Sequence, residues 1–275
     1  PSGFRHTIDT NRETALITHA PARTGRELAT VFAKNDYDVV LVARRETALR
    51  DLADDLSGTY GVEATVMPKD LSAADAPREL FDAVQDAGIH IDVLVNNAGV
   101  ATTQFFRDAA LEDVMNILHV NAGSVTALCH LFLQPMLERG QGRILNVASV
   151  VSFVPTPSFA IYGATKAFVL SLSEALSEEL RGTGVTVTAL CPGYTQTEMI
   201  SSAFDESGYA QYESLVPRFV KMTAAQVAQE GYRACMSGRA VHVTGLPNQL
   251  GTEWIRHQPR WLVRGVGGLM ARFRK

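Results

Sequence analysis

Residues 14–45 read TALITHAPARTGRELATVFAKNDYDVVLVARR. Two short apolar runs, 14–18 and 38–43, flank an amphipathic stretch, 25–34, that opens on Gly25. Runs so continuous in Val, Ile and Leu suit strands covered on both faces, and a helix between two of them is the crossover of a parallel pair. The same alternation continues outward. Strand-like runs recur at 63–67, 91–95, 143–148, 185–190 and 240–243, and helical patterns at 46–57, 75–87, 111–138, 159–181 and 224–237. Right-handed crossovers wind such a chain into a single α/β domain, a doubly wound parallel sheet of about seven strands. The length of 275 residues and the 46% hydrophobic content suit one large domain. Residues 1–11 read as an N-terminal extension, 12–250 as that domain and 251–275 as a basic C-terminal tail.

Bulk composition narrows the function classes. A net charge of −4 gives no electrostatic reason to expect nucleic acid. Cys129, Cys191 and Cys235 are scattered and odd in number, which suggests neither a disulfide framework nor a zinc site and points to a reducing, cytoplasmic setting. No metal site is expected. The first thirteen residues are polar and carry no signal-peptide core, and no apolar run looks long enough to span a bilayer.

Ligands in doubly wound sheets bind at the carboxyl ends of the strands. Thr18, Arg44, Asp70, Asn96, Ser149 and Pro192 each end or follow a strand. Tyr162 and Lys166 stand four residues apart in YGATK, with Ser149 thirteen residues upstream of the tyrosine. On a helix, positions i and i+4 share a face, so the ammonium lies beside the phenol and favours its ionised form over an ordinary pKa of about 10. With a serine hydroxyl holding a carbonyl oxygen against the phenol, the site gives or takes a proton on a carbonyl or alcohol oxygen. Residues 194–221 form a long polar and aromatic insertion after a site strand, the usual form of a substrate loop.

Several motifs occur in order: NNAG at 96–99, Asn121 in a long helix, Ser149 at a strand end, Tyr162 and Lys166, and Cys191-Pro192-Gly193 after the next strand. Together they resemble the short-chain dehydrogenase/reductase family, over roughly residues 12–245. The resemblance implies a Rossmann-like fold and assigns roles. Tyr162 would be the general acid/base, Lys166 its modulator and a ligand of the nicotinamide ribose, Ser149 the holder of the substrate carbonyl. Asn121 would hold a water in a proton relay. Thr18, Asn97, Ala98 and Gly99, Asp70 and Leu71 at the adenine, and Pro192, Gly193, Thr195 and Thr197 on the nicotinamide side would line the cofactor. The family also pairs through its long helices, here 111–138 and 159–181, so the resemblance implies a homodimer or homotetramer.

Cofactor choice is partly readable. NAD-preferring relatives carry an acid after the second strand; this chain has Ala43 followed by Arg44 and Arg45. A guanidinium pairs with a 2′-phosphate where an acid would repel it, so NADP(H) is expected, with Arg44 the better placed. The phosphate loop is altered. Where the family reads TGxxxGxG, this chain reads Thr18-His19-Ala20-Pro21-Ala22-Arg23-Thr24-Gly25, and only Gly25 survives. His19 must then take the tight turn, and Arg23 either swings out or grips a phosphate. Three readings follow: an NADP(H)-dependent oxidoreductase acting on a ketone or secondary alcohol; an enzyme that has lost the dinucleotide and does redox-neutral acid/base chemistry (aldol or retro-aldol, dehydration, isomerisation, cyclisation) with the same Ser–Tyr–Lys site; and a ligand-binding pseudoenzyme.

Phe153, Val154, Pro155, Phe159, Tyr194, Met199 and Phe204, with Val100, Ala101 and Phe105, make an apolar pocket with one polar corner, suited to a hydrophobic small molecule. From Trp254 onward the tail carries six cationic residues and no acid. Such an end packs on its own subunit or caps the substrate site, or lies on an anionic membrane surface.

Overall fold

The computed structural model describes residues 12–195 and 217–265. Seven strands form one sheet: β1 Thr14–Thr18, β2 Asp38–Ala43, β3 Ala64–Pro68, β4 Val93–Asn96, β5 Gly142–Val147, β6 Val185–Cys191 and β7 Val241–Val243. Their order is β3-β2-β1-β4-β5-β6-β7, and every pair is parallel. The chain reverses its winding direction between β1 and β4, where Leu16 lies in register with both Val40 and Leu94. At such a switch point the connecting loops diverge and leave a crevice at the strand ends.

The helices are α1 Arg23–Lys34, α2 Glu46–Tyr60, α3 Ala76–Asp86, α4 Leu111–Leu118, α5 Ser124–Arg139, α6 Ala160–Glu179, α7 Ala224–Met236 and α8 Leu246–Arg256. They cover both faces of the sheet. On one, Leu28 and Phe32 of α1, Leu49, Leu52 and Leu56 of α2 and Val227 of α7 pack on Ile17, Leu41 and Val95. On the other, Leu80 of α3, Leu128 and Phe132 of α5 and Val169 of α6 pack on Leu16, Leu94 and Ile144. Two-sided burial is why the strands are apolar throughout instead of alternating. Local chemistry fixes the ends: α7 starts with a capping box in which Gln226 N donates to Thr223 Oγ1 at 3.2 Å and Thr223 N donates to Gln226 Oε1 at 3.0 Å.

Three expectations need correction. The single helix expected over 111–138 is two α-helices joined by a π turn at His119–Gly123. Periodicity does not reveal one extra residue in a turn, and Asn121 sits in that turn. The composite helix Leu111–Arg139 is also long and apolar enough to cross a bilayer, contrary to the sequence reading; more than half of its most apolar window is buried against the sheet, so we read it as a core helix. Finally, α8 runs through residue 250, so the domain end placed there falls inside a helix that Pro247 helps to start.

Candidate active site

The loop after β1 makes the turn that a glycine would ordinarily make. His19 takes it at φ 55°, in the left-handed region, at a cost of about 1 kcal/mol. Ala22 N closes the turn on His19 O at 3.2 Å. Arg23 is exposed at the first position of α1. The one surviving glycine is sterically required: a Cβ on Gly25 would lie 2.3 Å from His19 O and 2.8 Å from Asn97 Nδ2. We therefore expect Gly25→Ala to lower the unfolding free energy by roughly 1–3 kcal/mol in a denaturant titration. Unchanged stability would show that the loop is looser than its geometry implies.

Thr18 does not face the crevice as a ligand. Its hydroxyl donates to Val95 O at 3.3 Å and accepts from Asn97 N at 2.9 Å and Ala98 N at 2.8 Å, and the side chain is fully buried. All its hydrogen-bonding capacity is used in fastening the end of β1 to the end of β4, so Thr18 is a positioning residue and not the cofactor contact expected. Asn97 continues the clamp, donating to Thr18 O at 3.1 Å. Ala98 and Gly99 are buried behind it.

At the ends of β2 and β3 the predicted rim is present. Arg44 and Arg45 are exposed, and Arg45 precedes α2. Asp70 is also exposed; the Ser72 N–H it accepts at 3.1 Å holds its carboxyl below the ordinary range, with a smaller contribution from the Arg44 charge. Arg44 and Asp70 thus share one corner of the crevice. Leu71 is buried beside them in the core.

Asn121 sits in the π turn with both of its amide N–H groups bonded. Its Oδ1 accepts from Val100 N at 2.8 Å, and its Nδ2 donates to Val100 O at 2.9 Å and to Thr165 Oγ1 at 3.1 Å. The side chain pairs with Val100 as a neighbouring strand would, and it ties the loop after β4 to α6. Both amide N–H groups are spent on the scaffold, and one lone pair of Oδ1 is left beside Lys166 Nζ.

Tyr162 and Lys166 lie on one face of α6, with Lys166 Nζ 5.8 Å from the centre of the phenol ring. Both are buried. Lys166 Nζ donates to Val147 O at 2.6 Å, its one hydrogen-bond acceptor among the described residues. Burial pulls its pKa down to about 8. Cys191, which contributes to its surroundings, is itself pushed up to about 12 by burial and stays a neutral thiol at ordinary pH. A Cβ on Gly99 would come within 3.5 Å of Lys166 Nζ and 3.6 Å of Asn121 Oδ1, so Gly99, Asn121 and Lys166 line one small space.

Ser149 follows β5 and accepts from Val151 N at 3.3 Å, starting a short helical turn, Val150–Phe153, that packs on α6. Val150 N donates to Pro192 O at 3.0 Å, which joins the ends of β5 and β6. Gly193 is pressed against α8: a Cβ there would lie 2.2 Å from Asn248 Nδ2. Thr195 and Met222 form a parallel bridge. Thr197, Met199 and Phe204 lie outside the described residues. Of the expected apolar lining, Val100 and Phe153 pack on the core beneath the site, and the Phe159 ring sits 6.1 Å from that of Tyr162. Sequence reasoning missed Thr165, which lies within YGATK itself, and Asn248, for which no local motif exists.

The arrangement fits a dinucleotide on three counts. The first turn of α1 has no capping side chain and no acidic residue to repel a phosphate at the positive end of the helix. His19 reproduces the backbone of the missing glycine. The buried Lys166 ammonium has three donors and one acceptor among the described residues.

Comparison with known proteins agrees with this geometry. A family model described as short chain dehydrogenase matches residues 13–208. The ketoacyl reductase HetN of Nostoc sp. is 34% identical over 68% of this chain and 65% of its own length, so the match spans slightly less than two thirds of that protein. The very-long-chain 3-oxoacyl-CoA reductase of Bos taurus is 31% identical over 80% of this chain and 71% of its own. Among solved structures, a short-chain dehydrogenase from Sphingobium yanoikuyae in complex with NADPH superposes with a TM-score of 0.77 at 30% identity, covering 94% of this chain and 95% of that one.

Proposed function

Because the chain belongs to the short-chain dehydrogenase/reductase family, we propose that it uses NADP(H) to interconvert a ketone and a secondary alcohol on a hydrophobic molecule. The carrying observation is the buried Lys166 ammonium beside the Tyr162 ring at the strand-end crevice. The curated relatives are named as reductases of oxoacyl compounds, which supports a ketone on a long acyl chain as the substrate class.

His19, Gly25 and the start of α1 would hold the pyrophosphate, Arg44 the 2′-phosphate, Asp70 the adenine side and Lys166 the nicotinamide ribose; when bound, the nicotinamide supplies or accepts the hydride at the substrate carbon. The chain's own residues handle the oxygen. Ser149 orients the carbonyl oxygen, and Tyr162 donates its phenolic proton to that oxygen in reduction or takes it back in oxidation. Lys166, held by Val147 O, keeps a positive charge beside the phenol and so stabilises the phenolate left after transfer. Asn121 and Thr165 keep α6 and the loop after β4 in register, so the proton donor stays placed.

The redox-neutral reading rests on the lost glycines. Against it, His19 already adopts the left-handed turn and Arg23 is exposed, so neither substitution closes the cradle by its backbone. The pairing expected of the long helices is supported by large apolar side chains exposed on them: Leu111, Met115 and Leu118 on α4 and Phe168 on α6.

The test is steady-state reduction of 3-oxoacyl thioesters and bulky ketones with NADPH and with NADH. Arg44→Ala is expected to raise the KM for NADPH by about 10- to 100-fold, the worth of one charge-assisted pair, and to leave the KM for NADH nearly unchanged. Equal loss with both cofactors would remove Arg44 from the 2′-phosphate site.

A further inference from the structure

The helix α8 has two unlike faces. The inner one holds the site: Asn248 Nδ2 donates to Val220 O at 3.2 Å and to Thr244 O at 3.0 Å, and Thr252 is buried behind it. The outer one carries Leu246, Leu250 and Trp254 at successive i, i+4 positions, 66%, 65% and 63% exposed. Helical backbone resumes at residue 260, and Trp261 there is 68% exposed. On the turn that Asn248 grips, Phe219 is 71% exposed. These five make up half of the ten large apolar side chains exposed among the described residues. They include both tryptophans of the chain. Tryptophan, with an apolar body and a polar N–H, is the side chain best suited to a boundary between water and hydrocarbon.

Charge identifies the other side of that boundary. Arg260 and Arg264 are exposed on the same stretch. From Trp254 to the C-terminus the sequence has six cationic residues and no acid; taking that +6 from the whole chain's −4 leaves −10 on the remaining residues. The sign of the charge therefore reverses in the segment that bears the exposed tryptophans. A two-fold pairing of copies through this face would set the two cationic segments against each other. A negatively charged lipid surface accepts both the cations and the apolar stripe.

We infer that α8 and the segment after it form a membrane-docking face that seats on anionic phospholipid, with Leu246, Leu250, Trp254 and Trp261 in the interface and Arg260 and Arg264 on the headgroups, while Arg256 stays over the Phe153 ring on the inner face, 5.8 Å from its centre. The contact is peripheral. It adds a location to the reading above and does not depend on it, since lipid binding needs no turnover. Because α8 also packs on the turn Val150–Phe153, docking brings the strand-end crevice beside the lipid.

The test uses the purified full chain with vesicles of phosphatidylcholine alone and of equal parts phosphatidylcholine and phosphatidylglycerol, read by co-sedimentation and tryptophan emission. The expected result is binding to the anionic vesicles only, with a blue shift of the emission and release by salt. Arg260→Gln and Arg264→Gln should each weaken binding by roughly fivefold, as about 1 kcal/mol per surface cation implies. Leu250→Ser with Trp254→Ser should abolish binding while leaving the melting temperature unchanged, since both side chains are exposed. The proposal fails if the protein ignores both vesicles, binds both equally, or binds as before in the double variant. It also fails if the protein stays off vesicles and self-associates in a way that the double variant removes, because a second copy then covers the face.

Discussion

Replacing Tyr162 by phenylalanine should lower the rate of NADPH-dependent ketone reduction by roughly 10²- to 10⁴-fold, the usual worth of a positioned proton donor. The substitution deletes one hydroxyl. The ring stays packed in α6 against Phe159, and Lys166 keeps its bond to Val147 O. Cofactor affinity and melting temperature should therefore change little, and the loss should fall on kcat. Near-normal turnover in the variant would take the proton transfer away from Tyr162. A loss confined to KM would make the tyrosine a binding residue.

The second large effect concerns Lys166 and separates stability from activity. The unfolded lysine titrates at 10.5 and the folded one at about 8, because burial disfavours the ammonium. Between these values the unfolded chain binds more protons than the folded one, so this group's contribution makes stability rise with pH. Below pH 8 the full penalty is present, about 3 kcal/mol. Lys166→Met removes the penalty. Measured against the variant, the wild type should therefore gain about 3 kcal/mol as pH rises from 8 to 10.5. The three buried thiols work the other way, since their folded pKa values lie near 12 and their ordinary value is 9.0. Cys129 and Cys235 are common to both proteins and cancel in the difference; Cys191 is coupled to the Lys166 charge, so both proteins carry Cys191→Ser for this comparison. Denaturant unfolding of the two proteins at both pH values checks this. Turnover in Lys166→Met should drop by at least about 100-fold, since the phenolate loses its cation. A pH-independent stability gap would mean that Lys166 titrates normally. A charge kept at such a cost is what a working site requires and a core does not.

Most of the fold could be read from the residues because two-sided burial leaves a simple mark. The apolar runs at 14–18, 38–43 and 143–148 coincide with β1, β2 and most of β5. The π turn at His119–Gly123 left no such mark, since one extra residue in a helix barely shifts its apolar period. The helix α8 was hidden for another reason: its inner face is polar, built on Asn248 and Thr252, and its outer face is apolar, the inverse of the usual pattern. In the site, side chains announced themselves, whereas backbone partners did not. Lys166 was found by type and spacing and Asn121 through the family resemblance, but Val147 O and the Val100 peptide, which hold them, could be assigned only in three dimensions. Thr18 shows the complementary case, a polar side chain expected to line the cofactor whose hydroxyl bonds all go to fixing the frame.

The central claim is that a phosphate loop with His19 and Arg23 in place of glycines still seats a nicotinamide cofactor beside Tyr162. Calorimetric titration of the full chain with NADPH and with NADH tests it most directly. The account predicts micromolar binding of NADPH, weaker binding of NADH, and loss of the difference in Arg44→Ala. Binding of both no tighter than millimolar would contradict it and leave Tyr162 and Lys166 to chemistry without a hydride.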